Sequence, residues 1–380
     1  MTTAPSPAVD TVWFTRCPVP TATGLAYKLG WLDEEFARDG IALKTLQEVG
    51  GELAHHHYDH GLSTLVREGG NLLALPARAQ GAPTRLIGLT WIDEWQAILV
   101  RPGSGITTPA QLQGKRLALP AFRAEDLREN RRGRSIARGM SLAGYKGVLA
   151  SAGLTLDDVR LVEVGADAQA SANLGAGLWQ GIAPLLRGEV DAVYVKGAAA
   201  AEAARAAGLE VGIDIDALPD RRFRVNNGTP RPITVHETML EQHFELVVRF
   251  LTQTLRAAHW ARSHQADVLA ILQGETRAGA DAVAEAYRDG FHLTLAPDLS
   301  DDKVALFRQQ RIFSCSTVFL TATWISRVGS TGGRWRRRSG GWRRCCGWRL
   351  DAVVVLSAYA ALSRPTAALS RPTAAPGQPI

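Results

Sequence analysis

Gly105-Ile-Thr-Thr-Pro-Ala-Gln-Leu-Gln-Gly-Lys-Arg-Leu-Ala-Leu-Pro120 is the stretch that decides the fold. It reads as a short helix from Pro109, a turn at Gly114 and an apolar strand closed by Pro120. The same grammar recurs downstream. Ile182 to Arg187 is helical, Gly188-Glu189 turns, and Val190 to Val195 is a strand. Upstream, Leu25 to Asp39 carries apolar residues at helical spacing (Leu25, Leu29, Leu32, Phe36) and ends at Gly40. Strands are predicted at Thr11–Thr15, Ile41–Leu46, Arg85–Leu89, Gln96–Val100, Val159–Val164 and Glu210–Ile215. Helices are predicted from Gly51 to about Arg67, over Leu72–Gln80 and Ser135–Ala152, and along Thr238–Gln273. Strands alternating with helices predict α/β architecture with mostly parallel sheets covered on both faces.

The chain has 380 residues, 46% hydrophobic and 21% charged. That suits a soluble globular protein and excludes collagen-like, disordered and disulfide-scaffold classes for its bulk. No apolar stretch is long enough to span a bilayer, and Met1–Asp10 lacks the basic and apolar regions of a secretory signal. The expectation is a cytoplasmic monomer with no membrane and no nucleic-acid partner.

The net charge of +6 resides in the tail. Residues 314–380 hold ten Arg and one acid, Asp351, so everything before them is slightly acidic. The tail also holds four of the tryptophans, three of the four cysteines (Cys315, Cys345, Cys346) and a duplicated Leu-Ser-Arg-Pro-Thr-Ala-Ala. Regular patterning stops near Phe313. This composition is what a GC-rich coding strand yields in a shifted frame, with a low-complexity arm as the alternative. No function is read from it.

The chemistry is densest between Cys17 and Asn71. Cys17 is the one cysteine before the tail, so it has no intrachain disulfide partner there. It follows the first strand and reads either as a small buried apolar residue or as a nucleophile or acid. His55-His56-His57-Tyr58-Asp59-His60 gathers four of nine histidines. Zinc binding, catalysis with Cys17 and a solvated polar segment compete for it. Arg67 is either a helix-terminal charge or an anion ligand, and Gly69-Gly70 is most simply a stop. Trp91 and Trp95 line a pocket or the core. Tyr194 and Lys196 end a strand at the cleft edge, where Lys196 reads as a rim charge. Arg128, Arg131, Arg132, Arg134 and Arg138 read as a surface loop and helix start.

Three phrases resemble the two-lobed periplasmic-binding-protein fold of the second type: the opening stretch above, Leu185–Tyr194, and Ala77–Leu89. The likeness covers roughly residues 11 to 300. It implies a ligand cleft between the lobes, at the carboxyl ends of strands of two mostly parallel sheets. Lobe one is expected over 11–94 with a return over 197–313, lobe two over 95–196, and the aberrant tail over 314–380.

Within that fold, Cys17-Pro18-Val19-Pro20, His57-Tyr58 and Arg67-Glu68-Gly69-Gly70 resemble the aromatic sulfinate desulfinases of bacterial dibenzothiophene desulfurization. The resemblance selects His57 because Arg67 lies ten residues after it. It implies Cys17, His57 and Arg67 as the catalytic set. Pro18, Tyr58, His60, Gly69, Gly70 and Tyr194 are then expected to line the substrate. Glu68 stands where those enzymes carry an aromatic residue. The implied reaction breaks an aryl carbon–sulfur bond and releases sulfite, with no cofactor and no metal, on an aromatic sulfinate or related anion. Cys17 would serve as proton donor or as nucleophile. A solute-binding component of an ABC transporter and a thiamine-pyrimidine-type enzyme share the fold and are the alternatives.

Overall fold

The computed structural model describes residues 9–314, apart from Arg16, Pro18, Gly50, Gln80, 122–135, 166–180 and Asp289, together with Ala358. Pro18, most of the basic run after Arg128 and nearly all of the tail lie outside the described residues.

The first lobe is a five-stranded sheet in the order β2-β1-β3-β10-β4. Its strands are β1 (Thr11–Thr15), β2 (Ala42–Thr45), β3 (Leu65–Glu68), β4 (Thr84–Thr90) and β10 (Arg231–His236). β2 and β3 run parallel to β1 on either side, and β10 lies antiparallel between β3 and β4. Helices α1 (Ala22–Lys28) and α2 (Trp31–Ala37) connect β1 to β2, and α3 (Gly51–Asp59) connects β2 to β3. α4 (Asn71–Ala79) leads to β4.

Residues 91–95 carry the chain into the second lobe. There β5 (Gln96–Val100) is central, antiparallel to β8 (Val193–Lys196) and β9 (Glu210–Asp214). All five β5 residues are buried, as a strand covered on both faces requires. β6 (Arg116–Pro120) and β7 (Arg160–Val164) form a parallel pair, tied to the rest by the parallel bridge Leu117–Ala192. α5 (Ile136–Ala150) and α6 (Ile182–Leu186) join these strands. α7 (Ala198–Ala206) precedes β9.

The first sheet is therefore mixed and the sheet around β5 antiparallel, so the sheets are not mostly parallel. Strands connected within one lobe through a helix run parallel, but β10 returns from the other lobe and enters its sheet reversed. The boundary also moves. β9 pairs with β5, so the return to lobe one comes at Arg231 rather than after Gly197.

Three predicted helices are cut. Leu25–Asp39 is two helices, split at Gly30, whose φ of 74° only glycine adopts without strain. Gly51–Arg67 stops at Asp59 because His60 turns left-handed at φ 59°. The residues after it extend, and Arg67 lies on a strand. Thr238–Gln273 is three helices: α8 (Glu237–Gln242), α9 (Phe244–Ala261) and α10 (Gln265–Thr276), with breaks at His243 and His264. α11 (Ala280–Ala286) and α12 (Asp301–Ser314) follow.

An aromatic cluster fastens the helices to β1. The Phe14 ring lies 5.0 Å from Tyr27 and 6.2 Å from Phe250, and Phe36 lies 6.4 Å from Phe250. Trp91 and Trp95 are core residues. So is Tyr194, contrary to its expected place at the cleft. Its ring packs 6.3 Å from Tyr145, and its hydroxyl donates to Gln96 Oε1 at 3.0 Å.

Gly144 on α5 marks how tightly that ring is held. A Cβ there would lie 2.1 Å from Tyr194 Cε2. Since both tyrosines are hydrogen-bonded and buried, the ring has nowhere to go. Gly144→Ala should cost about 1–3 kcal/mol by overpacking. Thermal unfolding should show this as a lower Tm.

Candidate functional site

Thr15, the last residue of β1, holds His57 of α3 through a hydrogen bond of 2.7 Å between its Oγ1 and Nδ1 of the imidazole. Gln47 Nε2 donates to the same Thr15 oxygen at 2.7 Å, and Thr45 Oγ1 donates to Gln47 Oε1. Thr15 and Thr45 are completely buried. Each hydroxyl hydrogen finds an acceptor in one arrangement of this chain: Thr45 to Gln47, Gln47 to Thr15, Thr15 to His57. His57 Nδ1 is then an acceptor, and its proton resides on Nε2. Burial, reinforced by Arg67 and Arg231, drives the imidazole pKa down to about 3, so it is neutral near pH 7.

Arg67 of β3 meets the same helix. Its Nε donates to the His57 carbonyl at 3.3 Å and an Nη2 hydrogen to the Gly70 carbonyl at 3.3 Å. Nη1 is buried with no acceptor among the described residues. Burial pushes the guanidinium down to about 10, while an ionised Cys17 acts in the opposite direction. Cys17 is half-buried, two residues past Thr15 and electrostatically near Lys196 as well. Glu68, next in the strand, projects to the other face, as strand alternation requires. It accepts from Thr90 at 3.4 Å and does not neutralise Arg67.

Gly69 and Gly70 serve this packing. A Cβ on Gly69 would sit 2.8 Å from the Arg67 guanidinium, and one on Gly70 would fall 2.3 Å from Asn227 Oδ1. Asn227 caps α4, accepting from Leu72 N at 3.0 Å, and Asn71 N donates to its carbonyl at 2.7 Å.

The crossing segments close the other side. Lys196 at the end of β8 forms a buried ion pair with Glu94, whose Oε1 also accepts from Tyr287 at 3.1 Å. Lys196 is 7% exposed, so it is not a rim charge. Arg231, the first residue of β10, is buried and makes no side-chain hydrogen bond to a described residue; its Nε and Nη1 are fully enclosed. Asn226 Nδ2 donates to Gln96 Oε1 at 3.0 Å.

The structure thus brings His57, Arg67, Gly69 and Gly70 together, with Cys17 near enough to Arg67 to act on it electrostatically. His60 is buried beside them, acted on by Arg67 and His57, and neither ring nitrogen has a partner among the described residues. Tyr58 packs edge-on against His57, centroids 5.1 Å apart. His56 is engaged by Asp59 at 2.9 Å. Among the described residues no group of three or more His, Cys, Asp or Glu is placed to hold a metal. Sequence reasoning missed Thr15, Gln47, Arg231 and Glu94. A hydroxyl at a strand end near the histidines was a signal for Thr15; none existed for Arg231.

A cavity of about 10 Å³ borders Cys17 between the Val19–Leu25 segment and α10. That is about the smallest cavity that holds one water. Entry of an aryl ligand requires the walls to move. A larger groove of about 380 Å³ lies between α5, Arg222–Val225 and α12, and none of Cys17, His57, Arg67 or Arg231 lines it.

A family model described as NMT1/THI5 like matches residues 25–268, well over half of the chain. The 2'-hydroxybiphenyl-2-sulfinate desulfinase of Rhodococcus erythropolis is 29% identical over 335 residues, covering 80% of this chain and 87% of that one. A cysteine-to-serine mutant of the desulfurization enzyme DszB, crystallised with biphenyl-2-sulfinic acid, superposes with a TM-score of 0.64 at 26% identity over 83% of this chain and 93% of that one. The periplasmic aliphatic sulphonate binding protein SsuA of Escherichia coli superposes with a TM-score of 0.57 at 16% identity, covering 87% and 97%. The fold is therefore that of type II periplasmic binding proteins, in α/β form with mixed sheets.

The buried imidazole has a consequence for stability. Its folded pKa lies below the unfolded 6.5, so its contribution is complete above pH 6.5 and is lost as pH falls toward 3. His57→Gln should flatten part of the acid limb of a Tm–pH profile between pH 6.5 and 3. His60, depressed in the same direction, retains the remainder.

Proposed function

This chain belongs to the NMT1/THI5-like family, and on that premise we propose that it is a desulfinase, cleaving the aryl carbon–sulfur bond of an aromatic sulfinate to release sulfite. The observation that carries the reading is the buried Arg67 guanidinium, with an Nη1 lacking an acceptor, held on the His57 carbonyl beside Cys17. A pure binding protein needs the cation but not the thiol and the oriented imidazole. The likeness to the desulfinase supports the chemistry, and the likeness to the sulphonate binding protein supports a small sulfur oxyanion as ligand.

Arg67 takes the sulfinate oxygens in a charge-assisted fork, and the Gly70 amide takes one from the start of α4. Cys17 then gives its thiol proton to the ring carbon. The carbon–sulfur pair becomes the carbon–hydrogen bond, and sulfur departs as SO2. Water converts SO2 to hydrogen sulfite and a proton, and that proton restores the thiol. The sum is aryl sulfinate plus water to arene plus hydrogen sulfite. Proton donation is favoured over thiolate attack by the state of His57. A neutral imidazole with Nδ1 occupied by Thr15 is a poor base for the thiol, whereas its Nε2–H can stabilise the thiolate left after transfer.

Sulfite release from biphenyl-2-sulfinate is the direct assay. Cys17→Ser should lower kcat by about a thousandfold or more, since a hydroxyl is far less acidic than a thiol. Wild-type turnover in that variant would sink the reading. Arg67→Lys keeps the charge but loses the fork, and should raise KM about tenfold or more. Thr15→Val frees the imidazole from its hydrogen bond. It should lower kcat about tenfold with little change in KM, and an unchanged kcat would remove His57 orientation from the mechanism.

A further inference from the structure

One charged group near the site has no task in the chemistry above. Arg231 is 4% exposed, and no carboxylate lies within ion-pair distance of it among the described residues. Its Nε and Nη1 are enclosed without acceptors. It is not alone. A Cβ built on Gly228 would lie 2.9 Å from Arg231 Nη2 and 3.4 Å from Lys196 Nζ, so both cationic heads sit against the bare face of that glycine. Arg231 also acts electrostatically on Arg67 and His57, which places it in the same cleft. Glu94 answers Lys196, while Glu68 is hydrogen-bonded to Thr90 and Thr23 and feels Arg231 electrostatically without an ion-pair contact. Two buried guanidinium groups therefore stand near one another with enclosed N–H donors and no anion in ion-pair contact among the described residues. A single sulfinate neutralises one of them. Burying the other unpaired is costly unless a second acceptor arrives with the ligand.

We propose that Arg231, with Lys196 beside it across Gly228, forms a second anion subsite, and that the preferred substrate is an aryl sulfinate carrying a further anionic substituent such as a carboxylate. The inference rests on the desulfinase reading for the identity of the first group, and on Arg231 for the second. Arg231 is a specificity residue here and takes no part in bond breaking.

Binding separates the two readings because it needs no turnover. The full chain carrying Cys17→Ser is titrated calorimetrically with benzenesulfonate, which has one charge, and with 2-sulfobenzoate and 3-sulfobenzoate, which have two. At least one dianion should bind tenfold or more tightly than benzenesulfonate. Adding Arg231→Gln should bring the two within threefold while leaving benzenesulfonate within threefold of its former affinity. Equal affinities, absence of any binding, or a gap that survives Arg231→Gln would overturn the subsite. If Arg231→Gln does not fold, Arg231→Lys decides: it keeps the charge and loses the fork, so the gap must shrink, and an unchanged gap overturns the proposal. Absence of sulfite release by the wild-type chain would defeat the desulfinase reading and leave this result standing. A flat sulfonate series from an active enzyme would do the reverse.

Discussion

A buried guanidinium without a carboxylate organises this molecule. Arg67 is 1% exposed and rests on two backbone carbonyls, His57 and Gly70. Neutral carbonyl dipoles compensate a buried cation only in part, and the depressed pKa of about 10 records the deficit. Much of the surrounding structure follows from holding that cation in place. Gly69 must lack a side chain because the guanidinium lies within 2.8 Å of where a Cβ would be. α3 must end where it does, so that the His57 carbonyl meets Arg67 Nε. The left-handed turn at His60 allows the chain to reverse and lay Arg67 onto β3 beside β1.

The second dependence is on the neutrality of the histidines. His57 and His60 lie close enough to Arg67 that protonating either would add a second buried positive charge. Burial, reinforced by the guanidinium, therefore keeps the imidazoles in the form that can donate or accept one hydrogen without carrying charge. The Thr45–Gln47–Thr15 chain then decides which nitrogen holds that hydrogen. A ligand-binding lobe of the same fold needs the anion-holding half of this arrangement. The thiol at Cys17 and a tautomer fixed by a strand-end hydroxyl are the additional parts that suit chemistry.

Much of this was legible in the sequence, and the gaps have physical causes. Local patterns located β1, β4, β5 and β6 to within a residue or so, because their apolar runs are bounded by turns. Cys17, His57 and Arg67 were singled out by the resemblance to the desulfinases rather than by any local pattern. Strand direction was not: β10 reads like any other strand, and only its return from the other lobe makes it antiparallel. Helix breaks at Gly30, His60, His243 and His264 were not legible because the periodicity runs on through them. Tyr194 and Lys196 both misled. They end a strand that should face the cleft, yet Tyr145 and Gln96 capture one and Glu94 the other. Which partner a buried polar group finds is decided by residues distant in sequence, so no local reading supplies it.

The arrangement sets stability against function. Arg67 and Arg231 are held in the interior without an ion-pair partner among the described residues, and each such group subtracts from a net stability that for most domains is only about 5–15 kcal/mol. The aromatic packing of Phe14, Phe36 and Phe250 against α1, α2 and α9, together with the fully buried second sheet around β5, offsets that cost. An anion entering the cleft removes the deficit directly, so its binding is coupled to folding: whatever neutralises Arg67 stabilises the native state in proportion to its occupancy. The cavity beside Cys17 is too small for a ring, so a ring placed there must also separate the packing between α10 and the Val19–Leu25 segment. Electrostatic gain at one end of the ligand is therefore set against lost contact at the other. A compact anion without a ring collects the first without the second, so on the desulfinase reading sulfite should compete with the aryl sulfinate for Arg67.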